Sequence, residues 1–115
     1  MVAGTHILIN AGARHAEHLL DHRAFGLFVA ELLDTLGLIQ VGQVLHPFPG
    51  GGFTGVVCLT ESHLAVHTWP EFGYYTCDVY LCDYTRPNYQ LTCELAEAIK
   101  TYFDSHSIKE QIIQR

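Results

Sequence analysis

Residues 55–82 read GVVCLTESHLAVHTWPEFGYYTCDVYLC, and this stretch decides the fold. It holds three runs rich in β-branched and aromatic residues, at 55–60, 63–69 and 74–82. Such residues suit a pleated, half-buried surface. The links between the runs are short, and Pro70 and Gly73 mark a turn in the second. Parallel strands need a crossover of a dozen or more residues, so short links predict antiparallel neighbours.

Working outward, residues 38–45 read as a further strand, separated from 55–60 by Pro47, Pro49 and the glycines at 50–52. Glycines of this kind let a backbone approach a ligand or take positive φ; a plain hairpin loop is the alternative. Residues 6–10 (HILIN) read as a short buried strand. Between the first two strands, Phe25, Phe28, Val29, Leu32, Leu33 and Leu36 recur at helical spacing within 16–36. Gly37 suits the position that ends such a helix. Gly26 inside it costs about 1 kcal/mol against Ala, which predicts a close neighbour. Past the break around Pro87, Leu91, Leu95, Ala98, Ile99, Tyr102 and Phe103 mark a second amphipathic helix. The last ten residues carry no periodic signal and are expected to fray. The order β-α-β-β-β-β-α predicts an α+β two-layer sandwich, an antiparallel sheet with two helices on one face.

Composition bounds the function. A chain of 115 residues is one domain, 1–115. Its 49% hydrophobic and 16% charged residues exclude a disordered chain. Six Lys and Arg against twelve Asp and Glu give −6, which is not the basic footprint of a nucleic-acid binder. No polybasic run addresses an anionic membrane, and no apolar run is long enough to span one. Cys58, Cys77, Cys82 and Cys93 form no CxxC pair, and residues 1–11 show no leader. Free thiols in a reducing cytoplasm are therefore expected.

The densest chemistry lies in Glu61-Ser62-His63-Leu64-Ala65-Val66-His67. His63 and His67 share one face of a strand but stand about 13 Å apart, too far to hold one metal ion. His15, His18 and His22 recur on a helical face with no acidic or Cys partner nearby, and read as a solvated face. No metal site is expected. Ser62 with His67 lacks the G-x-S-x-G frame of a hydrolase elbow. A second chemistry is open to Ser62: its hydroxyl adds to the Glu61 carbonyl in an N→O acyl shift. Elimination from the resulting ester leaves dehydroalanine, which hydrolyses to a pyruvoyl group. The residues alone equally allow a plain serine at a strand end.

The segment TESHLAVHTWPEFGYYTCDVYLC resembles the core of the prokaryotic S-adenosylmethionine decarboxylases, small pyruvoyl-dependent enzymes. Glu61 to Tyr74 follows their pattern throughout, and Cys82 lies twenty residues beyond Ser62, as in that family. His46, Phe48, Gly52 and Thr54-Gly55-Val56-Val57 resemble the stretch before the cleavage site. The resemblance implies self-cleavage between Glu61 and Ser62 into chains 1–61 and 62–115, the second headed by a pyruvoyl made from Ser62. His67 is implied in processing, removing the α-proton of the ester. Thr54 stands where the family usually has Ser, keeping the hydroxyl that supports processing while stiffening χ1. Cys82 is implied as proton donor after CO₂ leaves. Phe48 is implied to stack on adenine and Glu71 to bind ribose hydroxyls. The pyruvoyl ketone forms a Schiff base with the substrate amine and acts as electron sink, as pyridoxal phosphate does elsewhere, with no external cofactor or metal. The implied assembly is a homodimer whose active sites draw on both subunits, and the implied role is in polyamine biosynthesis.

The amino-terminal third departs from that pattern. Members that use S-adenosylmethionine carry an aromatic and an acidic residue after the first strand, near a Cys-Asp pair. Here the chain reads Ile9-Asn10-Ala11-Gly12-Ala13-Arg14-His15. That opens L-arginine or L-ornithine as an alternative substrate, with Glu17, Asp21, Asp78 and Asp83 as candidate partners for its cation. A non-enzymatic, ligand-binding member of the family is the third reading.

Overall fold

The structure is a computed structural model that describes residues 3–115; Met1 and Val2, which open the expected domain 1–115 and the span read for a leader, lie outside them. Six strands form one sheet: β1 (Gly4–Ala13), β2 (Gln40–Pro47), β3 (Phe53–Leu59), β4 (His63–Trp69), β5 (Tyr74–Cys82) and β6 (Ser105–Gln114). Their order is β2-β3-β4-β5-β1-β6, and every neighbouring pair is antiparallel. Three helices accompany it, α1 (Ala16–Leu20), α2 (His22–Thr35) and α3 (Tyr89–Tyr102).

The expected α+β sandwich is present, with two corrections. The first helix is broken at Asp21, whose carboxylate Oδ1 accepts the Ala24 N–H at 2.9 Å and starts α2 anew. An N-cap of this kind satisfies one of the donors a helix start leaves open. The last residues do not fray: they form β6, held against β1 by the backbone ladder. Most of β6 is exposed, so it carries none of the apolar alternation that announces a half-buried strand.

Alternation divides the sheet into two faces. Along β4, Leu64, Val66 and Thr68 are buried, while His63, Ala65, His67 and Trp69 point the other way and are half-buried. Along β5, Tyr75, Cys77, Val79 and Leu81 are buried. The helices pack on that buried face. Phe25 of α2 lies 5.5 Å from Phe53 and 5.8 Å from Phe103, ring centre to centre, and Tyr75 stacks on Phe103 at 4.2 Å. Burying each such ring contributes about 1.5–3 kcal/mol. Gly26 has the close neighbour its presence predicts: a Cβ there stands 2.6 Å from Leu45 Cδ1. Among the described residues, no helix lies over the opposite face of the sheet.

Candidate active site

The hairpin joining β3 to β4 is closed by the Leu59 N–H donating to the Ser62 carbonyl at 2.9 Å, leaving Thr60 and Glu61 as its loop. The favoured two-residue hairpin turns need positive φ. Neither Thr60 nor Glu61 has it. Glu61 is exposed and Ser62 half-buried, so the bond between them sits at an accessible tip.

Ser62 is held from the neighbouring strand. The Cys82 backbone N–H donates to Ser62 Oγ at 2.9 Å. The Cys82 thiol in turn accepts the Tyr84 N–H at 3.3 Å. Ser62 and Cys82, twenty residues apart in sequence, thus meet at one end of the sheet. They line a cleft of about 140 Å³ together with Leu38, Leu59, Arg86 and Asn88.

Thr54 and His67 meet elsewhere. They pair across β3 and β4, with Thr54 Oγ1 and His67 Nδ1 2.9 Å apart. Next to them Thr68, wholly buried, donates its hydroxyl to the Leu19 carbonyl at 2.7 Å and accepts the Phe53 N–H at 2.9 Å. That hydroxyl ties β3, β4 and α1 together behind the Thr54–His67 pair. Phe48 is half-buried in the β2–β3 loop, its ring 5.9 Å from His46. The loop is closed by the Phe48 N–H to Gly52 carbonyl bond at 2.9 Å, with Gly51 and Gly52 at φ of 103° and 88°. Glu71 is exposed on the 3₁₀ turn Pro70–Phe72. Phe48, Thr54, His67 and Glu71 therefore share one end of the sheet.

The two ends are far apart. His67 lies five residues beyond Ser62 along β4, a separation of roughly 16 Å at strand rise. One chain does not bring Ser62 and His67 together. His67 faces the uncovered side of the sheet with His63 and Trp69, while Ser62 precedes β4 at the hairpin end.

Other singled-out residues are placed as follows. His63 faces His6 and Tyr80 on the open side, ring centres 6.2 and 5.5 Å away, and His6 Nε2 stands 3.3 Å from Asp78 Oδ1. His15, His18 and His22 do not share one helix, because Asp21 interrupts it. His15 pairs with Asp104 at 3.3 Å, and His18 packs on Tyr102 at 5.2 Å. Of the acidic candidates, Asp21 caps α2, Asp78 faces His6, and Asp83 accepts the Asn88 N–H at 2.7 Å. Glu17 sits in the first turn of α1. Asn88, just past the break at Pro87, carries no signal in the sequence; no local pattern marks a residue whose partner is the Cys82 carbonyl.

By its fold the chain is a two-layer α+β protein with one antiparallel sheet and an uncovered, polar-studded sheet face. Residues 5–115 match the family model for S-adenosylmethionine decarboxylase. Over 82 residues the chain is 34% identical to the S-adenosylmethionine decarboxylase proenzyme of Archaeoglobus fulgidus, covering 71% of this chain and 73% of that one. Over 89 residues it is 36% identical to the proenzyme of Pyrobaculum aerophilum, covering 76% and 71%. Among solved structures, the adenosylmethionine decarboxylase from Aquifex aeolicus superimposes with a TM-score of 0.88 at 26% identity, covering 99% of this chain and 91% of that one. The chain belongs to the S-adenosylmethionine decarboxylase family.

Proposed function

We propose that this chain is the precursor of a pyruvoyl-dependent carboxy-lyase acting on S-adenosylmethionine, and that it cuts itself between Glu61 and Ser62. The observation that carries the reading is the grip of the Cys82 N–H on Ser62 Oγ at 2.9 Å, at the tip of a tight hairpin. Family membership and the activity for which the relatives are named support the substrate.

In processing, Ser62 Oγ attacks the Glu61 carbonyl carbon. A C–O bond forms, the Glu61–Ser62 C–N bond breaks, and the hydroxyl proton passes to the freed amine. His67 is the base that removes the Ser62 α-proton, and Thr54 holds the His67 ring in place. Elimination of the Glu61 carboxylate leaves dehydroalanine, whose imine tautomer takes up water and releases ammonia, converting Ser62 to the pyruvoyl group. The cleft beside Ser62 fits that group: it is partly polar and is lined by Ser62, Cys82, Arg86 and Asn88. The group supplies a ketone that binds the substrate amine and takes up the electrons of the breaking Cα–CO₂ bond. Cys82, the thiol at this cleft, returns a proton to the substrate carbon. Phe48 offers a ring for the adenine and Glu71 a carboxylate for the ribose hydroxyls.

The separation of Ser62 from His67 gives the assembly its form. Two copies packed with open sheet faces together, related by a two-fold axis lying between the sheets and across the strands, bring the hairpin end that carries Ser62 in one copy to the His67 end of the other. Facing sheets pack about 10 Å apart. The exposed Val44 and Val56 on this side support such burial. The functional unit is thus a homodimer of processed chains with two shared sites.

Release of labelled CO₂ from carboxyl-labelled S-adenosylmethionine, L-arginine and L-ornithine tests the reading. Release from S-adenosylmethionine alone is expected, and none from Ser62→Ala. Release from an amino acid but not from S-adenosylmethionine overturns the substrate.

A further inference from the structure

Asn88 begins α3 yet does not behave as a capping residue. Asn is among the strongest N-caps because its side-chain oxygen takes an N–H of the first turn. Here the side chain caps nothing. Its amide is turned back, and Nδ2 donates to the Cys82 carbonyl at 2.7 Å. The residue is only 9% exposed, and its Oδ1 is buried without a partner. A buried unsatisfied oxygen and a forgone cap each cost stability.

The rest of the residue is clamped. Its N–H donates to Asp83 Oδ1 at 2.7 Å, and its carbonyl accepts the Thr92 N–H at 2.9 Å and the Thr92 hydroxyl at 2.7 Å. Asn88 is thus an anchored post whose amide holds the carbonyl of Cys82. The N–H of the same Cys82 holds Ser62 Oγ. Both bonds flank one α-carbon, so freeing the carbonyl loosens the grip on the nucleophile.

We propose that Asn88 is a positioning residue for self-cleavage: it fixes the Cys82 main chain so that Ser62 Oγ stays aimed at the Glu61 carbonyl. This rests on the self-cleaving reading above. Bond making and breaking remain those of the N→O shift, and Asn88 takes no part in proton transfer.

The test is an intact-mass time course on freshly made full-length wild type and Asn88→Ser. Ser caps a helix as well as Asn does but does not reach the Cys82 carbonyl. Cleavage is expected to slow about tenfold, the effect of losing one well-formed hydrogen bond, with the thermal midpoint unchanged. Hydroxylamine, which cuts esters, reports the step affected. A His67→Ala chain accumulates ester and is cut to fragment 1–61 as its hydroxamate. Asn88→Ser, slowed at the attack itself, accumulates no ester and releases no hydroxamate. If Asn88→Ser melts early, Asn88→Asp, also a strong cap and nearly isosteric, takes its place below its own midpoint. Cleavage of a folded variant at the wild-type rate overturns the proposal, as does ester build-up in it. An uncleaved wild type overturns the self-cleaving reading itself.

Discussion

Thr54 Oγ1 and His67 Nδ1 lie 2.9 Å apart across β3 and β4, at the end of the sheet opposite the hairpin that carries Ser62. A base held by a neighbouring hydroxyl acts only on a proton within its reach, and within one chain Ser62 is roughly 16 Å away. With the roles proposed for these residues, this relationship calls for a site built from two chains.

Mixed dimers test that directly. When Ser62→Ala and His67→Ala chains are produced together, one shared site combines Ser62 from the second chain with His67 from the first. The His67→Ala chain is therefore expected to be cut, while each variant alone yields no pyruvoyl. Mass spectrometry distinguishes the two chains. No rescue on co-production contradicts a site built from both subunits.

Thr54 carries a narrower prediction. Thr54→Ser keeps the hydroxyl partner of His67 and is expected to cleave at close to the wild-type rate. Thr54→Val keeps the shape, removes the bond and is expected to slow cleavage about tenfold. Equal rates in the two variants contradict a role for the hydroxyl.

Thr68→Val leaves the Leu19 carbonyl and the Phe53 N–H without their buried partner. A destabilisation of about 2–4 kcal/mol is expected from urea unfolding, since each orphaned group costs about 1–3 kcal/mol. The two strands carrying Thr54 and His67 keep their ladder but lose this side-chain tie, so cleavage slows as well.

Alkaline stability follows from two buried groups. Burial pushes the Tyr75 hydroxyl up to about 12, against a smaller lowering by its 2.7 Å bond to Ser105. Burial also pushes the Cys77 thiol up. Both are neutral when protonated, and the folded chain keeps their protons where the unfolded chain gives them up. Stability is therefore full below the unfolded thiol value of 9.0 and falls as pH rises through the unfolded tyrosine value of 10.0. Urea midpoints from about pH 8 to about pH 11 check this. Tyr75→Phe flattens the upper part of the decline.

The strands of 55–82 were legible because alternation and short links both point to a half-buried antiparallel sheet. The core rings Phe25 and Phe103 were legible from helical spacing. β6 was not, since an exposed edge strand is held by backbone bonds that leave no apolar pattern. The break at Asp21 was hidden by apolar spacing that runs on through both helices. Ser62, Cys82, Thr54 and His67 were singled out together only by the family resemblance. Their division between two ends of the sheet was not legible, because it follows from strand register rather than from spacing along the chain. Asn88 was illegible for the same reason: its partner is six residues back, across a turn.

Every role proposed for these residues depends on the chain cutting itself at one bond. Intact-mass measurement of the purified protein tests it most directly. Two fragments are expected, 1–61 ending in the Glu61 carboxylate and 62–115 headed by a pyruvoyl group, with Ser62→Ala remaining whole. A single full-length mass, unchanged on long incubation, contradicts it.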